Sequence, residues 1–250
     1  MIGPVEGMLA TAVETAGAAH LTLIDPVSQG PEAAGRMAKA AAKGGTDAIM
    51  VGGSVGAAGR ALEDTVRSIR AESGLPVILF PSGVSGLCSN ADAVFFMSLL
   101  NSRSASYLIE NQALGAPLVY KYGLEPIPMA YIIVEPGGTV GWVGDAKLIP
   151  RDKPELAAAY ALAGKYFGMR MVYLEAGSGA GDPVPPKMVA ATKRAIGDAL
   201  LIVGGGIRSG DAARRLVEAG AEIIVTGTGV ERSEDVEAFV REITSAMKGL

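Results

Sequence analysis

The chain has 250 residues, of which 49% are hydrophobic and 19% are charged, and its formal net charge is −4. This acidic balance argues against nucleic acid as the main partner, because contact with a phosphate backbone needs a basic face. No apolar run approaches the ~20 residues of a membrane span, and the single cysteine excludes an intrachain disulfide. We therefore expect a soluble cytoplasmic protein, and peripheral contact with a membrane stays open.

Short apolar runs alternate with helical patterns along the chain. Strands are predicted at 20–25, 48–51, 77–80, 93–97, 131–134, 171–175, 200–203 and 222–226. Helices are predicted at 31–43, 59–72, 105–114, 154–167, 186–196, 210–219 and 233–248. Continuous Val, Ile and Leu runs are typical of strands buried on both faces of a parallel sheet. The pattern predicts one α/β domain over residues 1–250, a modified TIM (β/α)₈ barrel, with a doubly wound open sheet as the alternative.

Two segments interrupt the regular alternation. Residues 82–90, between the third and fourth strands, are too few for a crossover helix. We therefore expect the third helix to be missing or replaced by a loop or single turn, which leaves a gap in the outer ring. The segment 120–129 contains Pro126 and Pro128. It is predicted to be irregular and to cap one mouth of the barrel.

Three glycine-rich turns, at 176–182, 204–206 and 227–229, follow the last three predicted strands. Glycine lets main-chain N–H groups approach an anion, and barrels of this type commonly bind phosphate after strands seven and eight. The turns therefore predict one shared phosphate site, although glycines also serve simply to make tight loops. Arg208 either supplements this site, caps a helix or pairs with Asp211.

Carboxylates at strand ends are the candidates for chemistry. Asp25 ends the first strand and suits Mg²⁺, and Ser54 on the next loop offers a hydroxyl; loop capping and helix capping are the alternatives. Glu175 closes the sixth strand, and Tyr173 should point the same way. A carboxylate beside a phosphate site is suited to orienting or deprotonating a neighbouring hydroxyl. Glu135, after the fifth strand, either serves the same function or belongs to an ordinary turn.

The remaining candidates are aromatic or apolar. The stretch 93–102, with Tyr107, Leu108 and Tyr131, predicts a long hydrophobic groove, for which plain core is the alternative. His20 opens the first strand, at the opposite face of the domain from Asp25, so a histidine triad or zinc site is nearly excluded. Cys88 is expected to be a packed thiol. Trp142 fits either a subunit interface or loop packing.

Six segments in order along the chain carry a family resemblance. They are HLTLIDP at 20–26, VGGS at 51–54, LFPS at 79–82, YLEAGSG at 173–179, VGGGIR at 203–208 and TGT at 226–228. The chain resembles the geranylgeranylglyceryl phosphate synthases and their bacterial heptaprenylglyceryl relatives over nearly its whole length. One departure is that bacterial relatives often have Gly-Asn where this chain has Gly227-Thr228.

The resemblance implies Mg²⁺-dependent transfer of a geranylgeranyl group from its diphosphate to the 3-hydroxyl of sn-glycerol 1-phosphate. This prenyltransferase step forms the first ether bond of archaeal membrane lipids. The implied barrel lacks its third helix, and the implied assembly is a homo-oligomer, either a dimer or a hexamer. A sugar-phosphate isomerase or synthase on a similar barrel is the second hypothesis, and a non-catalytic phosphometabolite-binding barrel is the third.

Site residues follow from the resemblance by position. Catalytic roles fall to Glu175 and Asp25, and the metal ligands are Asp25 and Ser54. The implied residues for sn-glycerol 1-phosphate are Tyr173, Leu174, Glu175, Ala176, Gly177, Ser178, Gly179, Gly204, Gly205, Gly206, Gly227 and Thr228.

Overall fold

The computed structural model describes residues 2–53 and 58–248, in which eight parallel strands close into a barrel. Each strand pairs with its neighbours in chain order, and the last pairs with the first. The predicted barrel is therefore confirmed. The strands are β1 (Ala19–Ile24), β2 (Ala48–Val51), β3 (Val77–Leu79), β4 (Ala93–Leu99), β5 (Glu125–Ile133), β6 (Met171–Glu175), β7 (Leu200–Gly204) and β8 (Ile223–Thr226).

Helices pack around the outside of the barrel and at its two mouths. They are α1 (Pro4–Ala16), α2 (Pro31–Gly44), α3 (Gly59–Ser73), α4 (Asn111–Tyr122), α5 (Gly138–Val143), α6 (Pro154–Tyr166), α7 (Pro186–Ile196), α8 (Gly210–Glu218), α9 (Thr228–Glu231) and α10 (Val236–Met247). Proline in the first turn starts several of them, because its missing N–H has no partner there anyway. No helix of the described residues is both long and apolar enough to cross a membrane.

The third helix of a regular barrel is absent between β3 and β4, as predicted. A single 3₁₀ turn, Val84–Gly86, takes its place. After β4, a π-helical turn at Ser106–Glu110 leads directly into α4, so this helical segment is longer than the predicted 105–114. Gly115 and Pro117 lie inside α4 rather than ending it. Gly115 is buried, which indicates that tertiary packing outweighs the weak helical propensity of these residues.

The prediction that 120–129 is irregular was wrong, because β5 begins at Glu125. The N–H of Glu125 donates to the carbonyl of Asp92 at 3.1 Å, so alternate residues of β5 donate toward β4. Pro126 and Pro128 occupy the positions between, whose nitrogens face β6. Pairing with β6 starts only after Pro128. No partner therefore needs the N–H groups that the prolines lack.

Helix α1, which the sequence did not predict, closes the amino-terminal mouth of the barrel. Val5 and Leu9 are buried in the same apolar cluster as the barrel interior. The Glu125 carboxylate accepts the main-chain N–H groups of Val5 at 2.7 Å and Glu6 at 2.9 Å, which satisfies the free amides at the helix start. Buried Glu6 also binds Arg170 through two contacts of 2.6 Å. Helix α1 therefore blocks this mouth, and a ligand site is expected at the opposite mouth.

Candidate active site

Two cavities meet at the carboxyl ends of the strands. The larger has a volume of about 290 Å³ and the smaller about 50 Å³. Glu175, Ser178 and Thr228 are among the residues that line both. The larger cavity also contains Asp25, so Asp25 and the glycine turns open onto the same mouth of the barrel. Parallel strands explain this, because all their carboxyl ends lie at one edge.

The smaller cavity is walled by the loops that follow β6, β7 and β8. The turn residues that line it are Ser178, Gly179, Gly205, Gly206, Gly227, Thr228 and Gly229. The sequence-based idea of one shared cradle therefore matches the geometry. Such turns expose main-chain N–H groups, which are suited to a phosphate.

Arg208 also lines the smaller cavity, and it is the only lysine or arginine among the described residues that line either cavity. Its Nη2 donates to the carbonyls of Gly179 at 3.1 Å and Ala180 at 2.8 Å. Asp211 pairs instead with Arg214 and another arginine on α8. Arg208 therefore ties two of the glycine turns together and places its charge beside the smaller cavity.

The side chains of Ser178 and Thr228 bridge the loops after β6 and β8. Their hydroxyl oxygens lie 2.9 Å apart, across the mouth of the smaller cavity. Either hydroxyl can donate, which leaves the other hydroxyl hydrogen directed elsewhere. The threonine that departs from the Gly-Asn of bacterial relatives thus has a partner within this chain.

Glu175 lies at the junction of the cavities and is only 6% exposed. Its Oε1 accepts the N–H of Gly177 at 2.6 Å, and Tyr131 Oη lies 3.5 Å from its Oε2. Burial raises the pKa of Glu175 from its ordinary 4.5, while hydrogen bonds from Gly177, Tyr173 and Tyr131 act in the opposite direction. Burial also keeps the pKa of both tyrosines well above 10, so both phenols stay protonated donors.

Asp25 is half-buried at the end of the larger cavity. Its Oδ1 accepts the N–H of Val27 at 2.9 Å, which orients the carboxylate. A Cβ at Gly53 would overlap this carboxylate, so glycine at that position leaves space for it. Ser54, the second predicted metal ligand, lies outside the described residues.

Glu231 is a further carboxylate of the larger cavity, and the sequence analysis missed it. It closes α9, the four-residue helix after β8. Burial first, and then the nearby charge of Asp25, raise its pKa above the ordinary value. The sequence offered one signal, an acidic residue soon after the last glycine turn. A carboxylate on an ordinary surface helix would look the same, so this signal does not mark a site.

The larger cavity is acidic at one end and apolar along the rest. Its described lining contains Asp25, Glu175 and Glu231 but no lysine, arginine or histidine. Its apolar lining includes Phe80, Phe95 and residues of the 3₁₀ turn and β4, whereas α4 contributes Asn111, Gln112 and Gly115. Asp25 and Glu231 form its acidic end, and the described lining offers no basic side chain there to attract an anion. Across the described ranges, no three His, Cys, Asp or Glu side chains gather as a metal cluster.

The apolar part corresponds to the predicted groove. Tyr107 and Tyr131 line it, whereas Leu108 does not. It runs past Val84 and Leu87 in the short segment between β3 and β4, where a regular barrel has its third helix. The missing helix is thus the structural reason that a long apolar group has room at this side.

Other predicted positions lie apart from the cavities. Leu174 and Ala176 are fully buried between the strands and the helices, so contact with a ligand would have to come from their main chain. Gly177 donates to Glu175, and a Cβ at Gly204 would overlap the Tyr173 hydroxyl; neither glycine lines a cavity. These four positions support the site rather than line it.

Four residues raised as alternatives lie outside both cavities. His20 is buried, with its nitrogens 2.9 Å from threonine hydroxyls, and burial lowers its pKa to about 3. Cys88 is buried, as expected for a packed thiol. Glu135 is exposed and its carbonyl accepts from an arginine on the next loop. Trp142 is 85% exposed, which argues against loop packing.

Comparison with known proteins identifies the family. The sequence profile of the PcrB family matches residues 12–247. The chain belongs to the PcrB family. Among its relatives, the geranylgeranylglyceryl phosphate synthase of Methanothrix thermoacetophila is 71% identical over 98% of this chain and 96% of the relative. The synthase of the same name from Methanosarcina acetivorans is 61% identical over 98% of this chain and 99% of its own length.

A solved structure extends the likeness to the whole PcrB-family barrel. The (S)-3-O-geranylgeranylglyceryl phosphate synthase of Thermoplasma acidophilum is 45% identical, with a TM-score of 0.94 and coverage of 100% of both chains. That structure was determined in complex with its substrate, sn-glycerol-1-phosphate.

Proposed function

We propose that this chain transfers a geranylgeranyl group from its diphosphate to the 3-hydroxyl of sn-glycerol 1-phosphate. The observation that carries this proposal is the meeting of two unlike cavities at Glu175. One is small and walled by glycine turns, and the other is larger, mostly apolar and acidic at one end. Relatives that are 61% and 71% identical bear the name of this enzyme, which supports the same assignment.

The smaller cavity suits the acceptor. Its glycine turns offer main-chain N–H groups for a phosphate, and Arg208 adds the positive charge at its rim. With the phosphate held there, the glycerol carbons extend toward the junction with the larger cavity. The hydroxyl farthest from the phosphate then lies near Glu175. The related structure bound to sn-glycerol-1-phosphate supports this choice of acceptor.

The larger cavity suits the donor, and its electrostatics favour a divalent cation. A diphosphate facing Asp25 and Glu231 without any basic neighbour would be repelled, so we propose that Mg²⁺ accompanies it. Asp25 would hold the ion, with Ser54 as the second ligand that the sequence suggests. Hard oxygen ligands of this kind fit Mg²⁺, which completes its shell with water and phosphate oxygens. When bound, the ion supplies positive charge that offsets the charge of the departing diphosphate.

The chain's own residues then bring the reacting atoms together. The glycine turns fix the acceptor phosphate, so that its hydroxyl oxygen faces the allylic carbon. Glu175 accepts the hydroxyl proton, and the N–H of Gly177 holds the carboxylate in place at 2.6 Å. The apolar walls of the larger cavity exclude water, which would otherwise compete with glycerol phosphate for the allylic carbon.

The sugar-phosphate and non-catalytic hypotheses lose support because neither gives the larger, mostly apolar cavity a function. A cytoplasmic location stays a prediction from the sequence. Assembly into a dimer or hexamer stays a prediction as well, and the exposure of Trp142 is compatible with it. Light scattering on the purified protein tests the assembly.

The decisive experiment incubates purified protein with sn-glycerol 1-phosphate, MgCl₂ and prenyl diphosphates of several lengths. We expect an ether product, extractable into organic solvent and identified by mass. Asp25→Asn should lower turnover by about 100-fold at fixed Mg²⁺, because it weakens the metal site. The control Asp152→Asn changes a carboxylate that is 79% exposed and should leave turnover intact. Absence of product with every chain length would refute the transferase, and full activity in EDTA would refute the metal.

A further inference from the structure

Three aromatic rings meet in the upper part of the barrel. Phe80 follows β3, Tyr131 lies on β5 and Tyr173 lies on β6. The ring centres of Phe80 and Tyr131 are 5.2 Å apart at 83°, and those of Tyr131 and Tyr173 are 5.2 Å apart at 67°. Phe80 and Tyr173 are stacked with centres 5.8 Å apart. We call these residues the aromatic triad.

The aromatic triad lies where the two cavities join. Phe80 and Tyr131 line the larger cavity together with Asp25 and Glu175, while Tyr173 lines the smaller one. Tyr131 and Tyr173 are 3% and 1% exposed, whereas Phe80 is only half-buried. Phe80 therefore has ring surface free to meet a bound molecule.

The chemistry of this position is set by the reaction. The proposed transfer breaks the bond between the allylic carbon and the diphosphate oxygen, and both electrons leave with the diphosphate. The glycerol hydroxyl oxygen forms the new bond to that carbon, and its proton passes to Glu175. Between these events the allylic carbon carries positive charge, at a point between the acidic end and Glu175.

We propose that Phe80 is a catalytic residue whose ring stabilises the positive charge on the allylic carbon, and that the Tyr131 ring, packed edge-on against it, positions Phe80. This inference rests on the proposed function and names a further part of the same site. Aromatic faces attract cations through their quadrupoles, and the attraction grows when water is excluded. The described lining of the larger cavity supplies no lysine or arginine that would compete for these faces.

The hydroxyl and the ring of Tyr131 have separable functions. The hydroxyl lies 3.5 Å from Glu175 Oε2 and helps to hold the pKa of that carboxyl down. Tyr131→Phe removes the hydroxyl and should raise the pKa of Glu175, so the acidic limb of the pH–rate profile should move to higher pH. Because this variant keeps the ring, it should retain most of the maximal rate. Tyr131→Leu removes both features and should also lower the maximal rate.

Binding of a charged mimic tests the rings without turnover. One probe is a geranylgeranyl chain that ends in trimethylammonium, and its neutral match ends in tert-butyl; both are added with inorganic pyrophosphate and Mg²⁺. Calorimetry should show that the wild-type protein prefers the ammonium probe. Phe80→Leu should reduce that preference by between about 2-fold and about 30-fold, while the exposed control Phe167→Leu keeps it. An unchanged preference in Phe80→Leu would overturn the proposal.

A fluorination series tests the same ring during the reaction. Replacing Phe80 with mono-, di- and trifluorophenylalanine weakens the ring quadrupole stepwise while nearly preserving its size. The single-turnover rate should fall with each fluorine, and the KM for the prenyl diphosphate should change little. A flat series would contradict a role for the ring face. If the wild type makes no ether at all, the proposed function fails, and the probe preference still decides the question of the rings.

Discussion

Gly205 offers a quantitative test of how the glycine turns shape the site. Its φ is +84°, and a Cβ there would overlap Glu175 Oε1 and lie 2.8 Å from the Gly177 nitrogen. The left-handed backbone costs a non-glycine residue about 1 kcal/mol. The contact with main-chain atoms cannot be relieved by rotating a side chain, and it adds about 2 kcal/mol. We therefore expect Gly205→Ala to lower the free energy of unfolding by about 3 kcal/mol.

Two other glycines separate these contributions. Gly74 has φ +67° at the end of α3, and Gly179 has φ +74° in the smaller cavity; a Cβ at either meets nothing within 4 Å. Gly74→Ala and Gly179→Ala should each lose only the backbone part, about 1 kcal/mol. Urea unfolding of the ligand-free proteins measures all three variants. Equal losses for Gly205→Ala and Gly74→Ala would refute the packing argument.

The same substitution should also affect catalysis. A methyl group at Gly205 displaces the Glu175 carboxylate from its contact with Gly177, so turnover of Gly205→Ala should fall by about tenfold or more. Gly74→Ala, far from the cavities, should keep wild-type turnover. A folded Gly205→Ala protein with normal turnover would show that the position of Glu175 is not critical.

Three more predictions concern single polar groups. Because burial raises the pKa of Glu175, the wild-type carboxyl stabilises the fold fully below pH 4.5 and loses this contribution as pH rises through the raised pKa. In urea unfolding, the stability of Glu175→Gln relative to wild type should therefore increase as pH rises from 4 to 8. A stability difference that does not change with pH would contradict the raised pKa of Glu175. Thr228→Val removes the hydroxyl 2.9 Å from Ser178, so the Kd for sn-glycerol 1-phosphate, measured by calorimetry, should rise about fivefold without loss of stability. An unchanged Kd would show that this hydroxyl pair does not contribute to binding. Glu6→Gln breaks the paired contacts with Arg170 at the amino-terminal mouth and should lower the free energy of unfolding by about 2 kcal/mol, with KM unchanged. A changed KM would show that helix α1 affects the site at the opposite mouth.

The barrel could be predicted because each of its strands has a local signature. Strands buried on both faces need continuous apolar runs, and the glycine turns mark where β6, β7 and β8 end. Helix α1 and the start of β5 escaped prediction for a different reason. Apolar residues such as Val5 and Leu9 occur in many helices, so nothing local shows that α1 closes the barrel. Pro126 is tolerated in β5 only because pairing with β6 begins after Pro128, so no N–H is needed from Pro126.

The candidate site was predicted in part for the same reason. Asp25, Glu175 and the glycine turns all follow strands, and parallel strands bring their carboxyl ends to one mouth. Glu231 follows a short helix instead, and nothing local distinguishes it from a surface carboxylate.

The sequence by itself determined the strand order, the mouth at which the site lies and the type of anion that the turns can hold. These properties depend on periodicity and on residues that are neighbours in the chain. Only the tertiary structure decided which side chains come together at the site: the Ser178–Thr228 pair, the aromatic triad and the carboxylates that line the larger cavity. Their members come from different strands and loops, so their separations depend on how the closed barrel staggers its strands. No local pattern records that stagger.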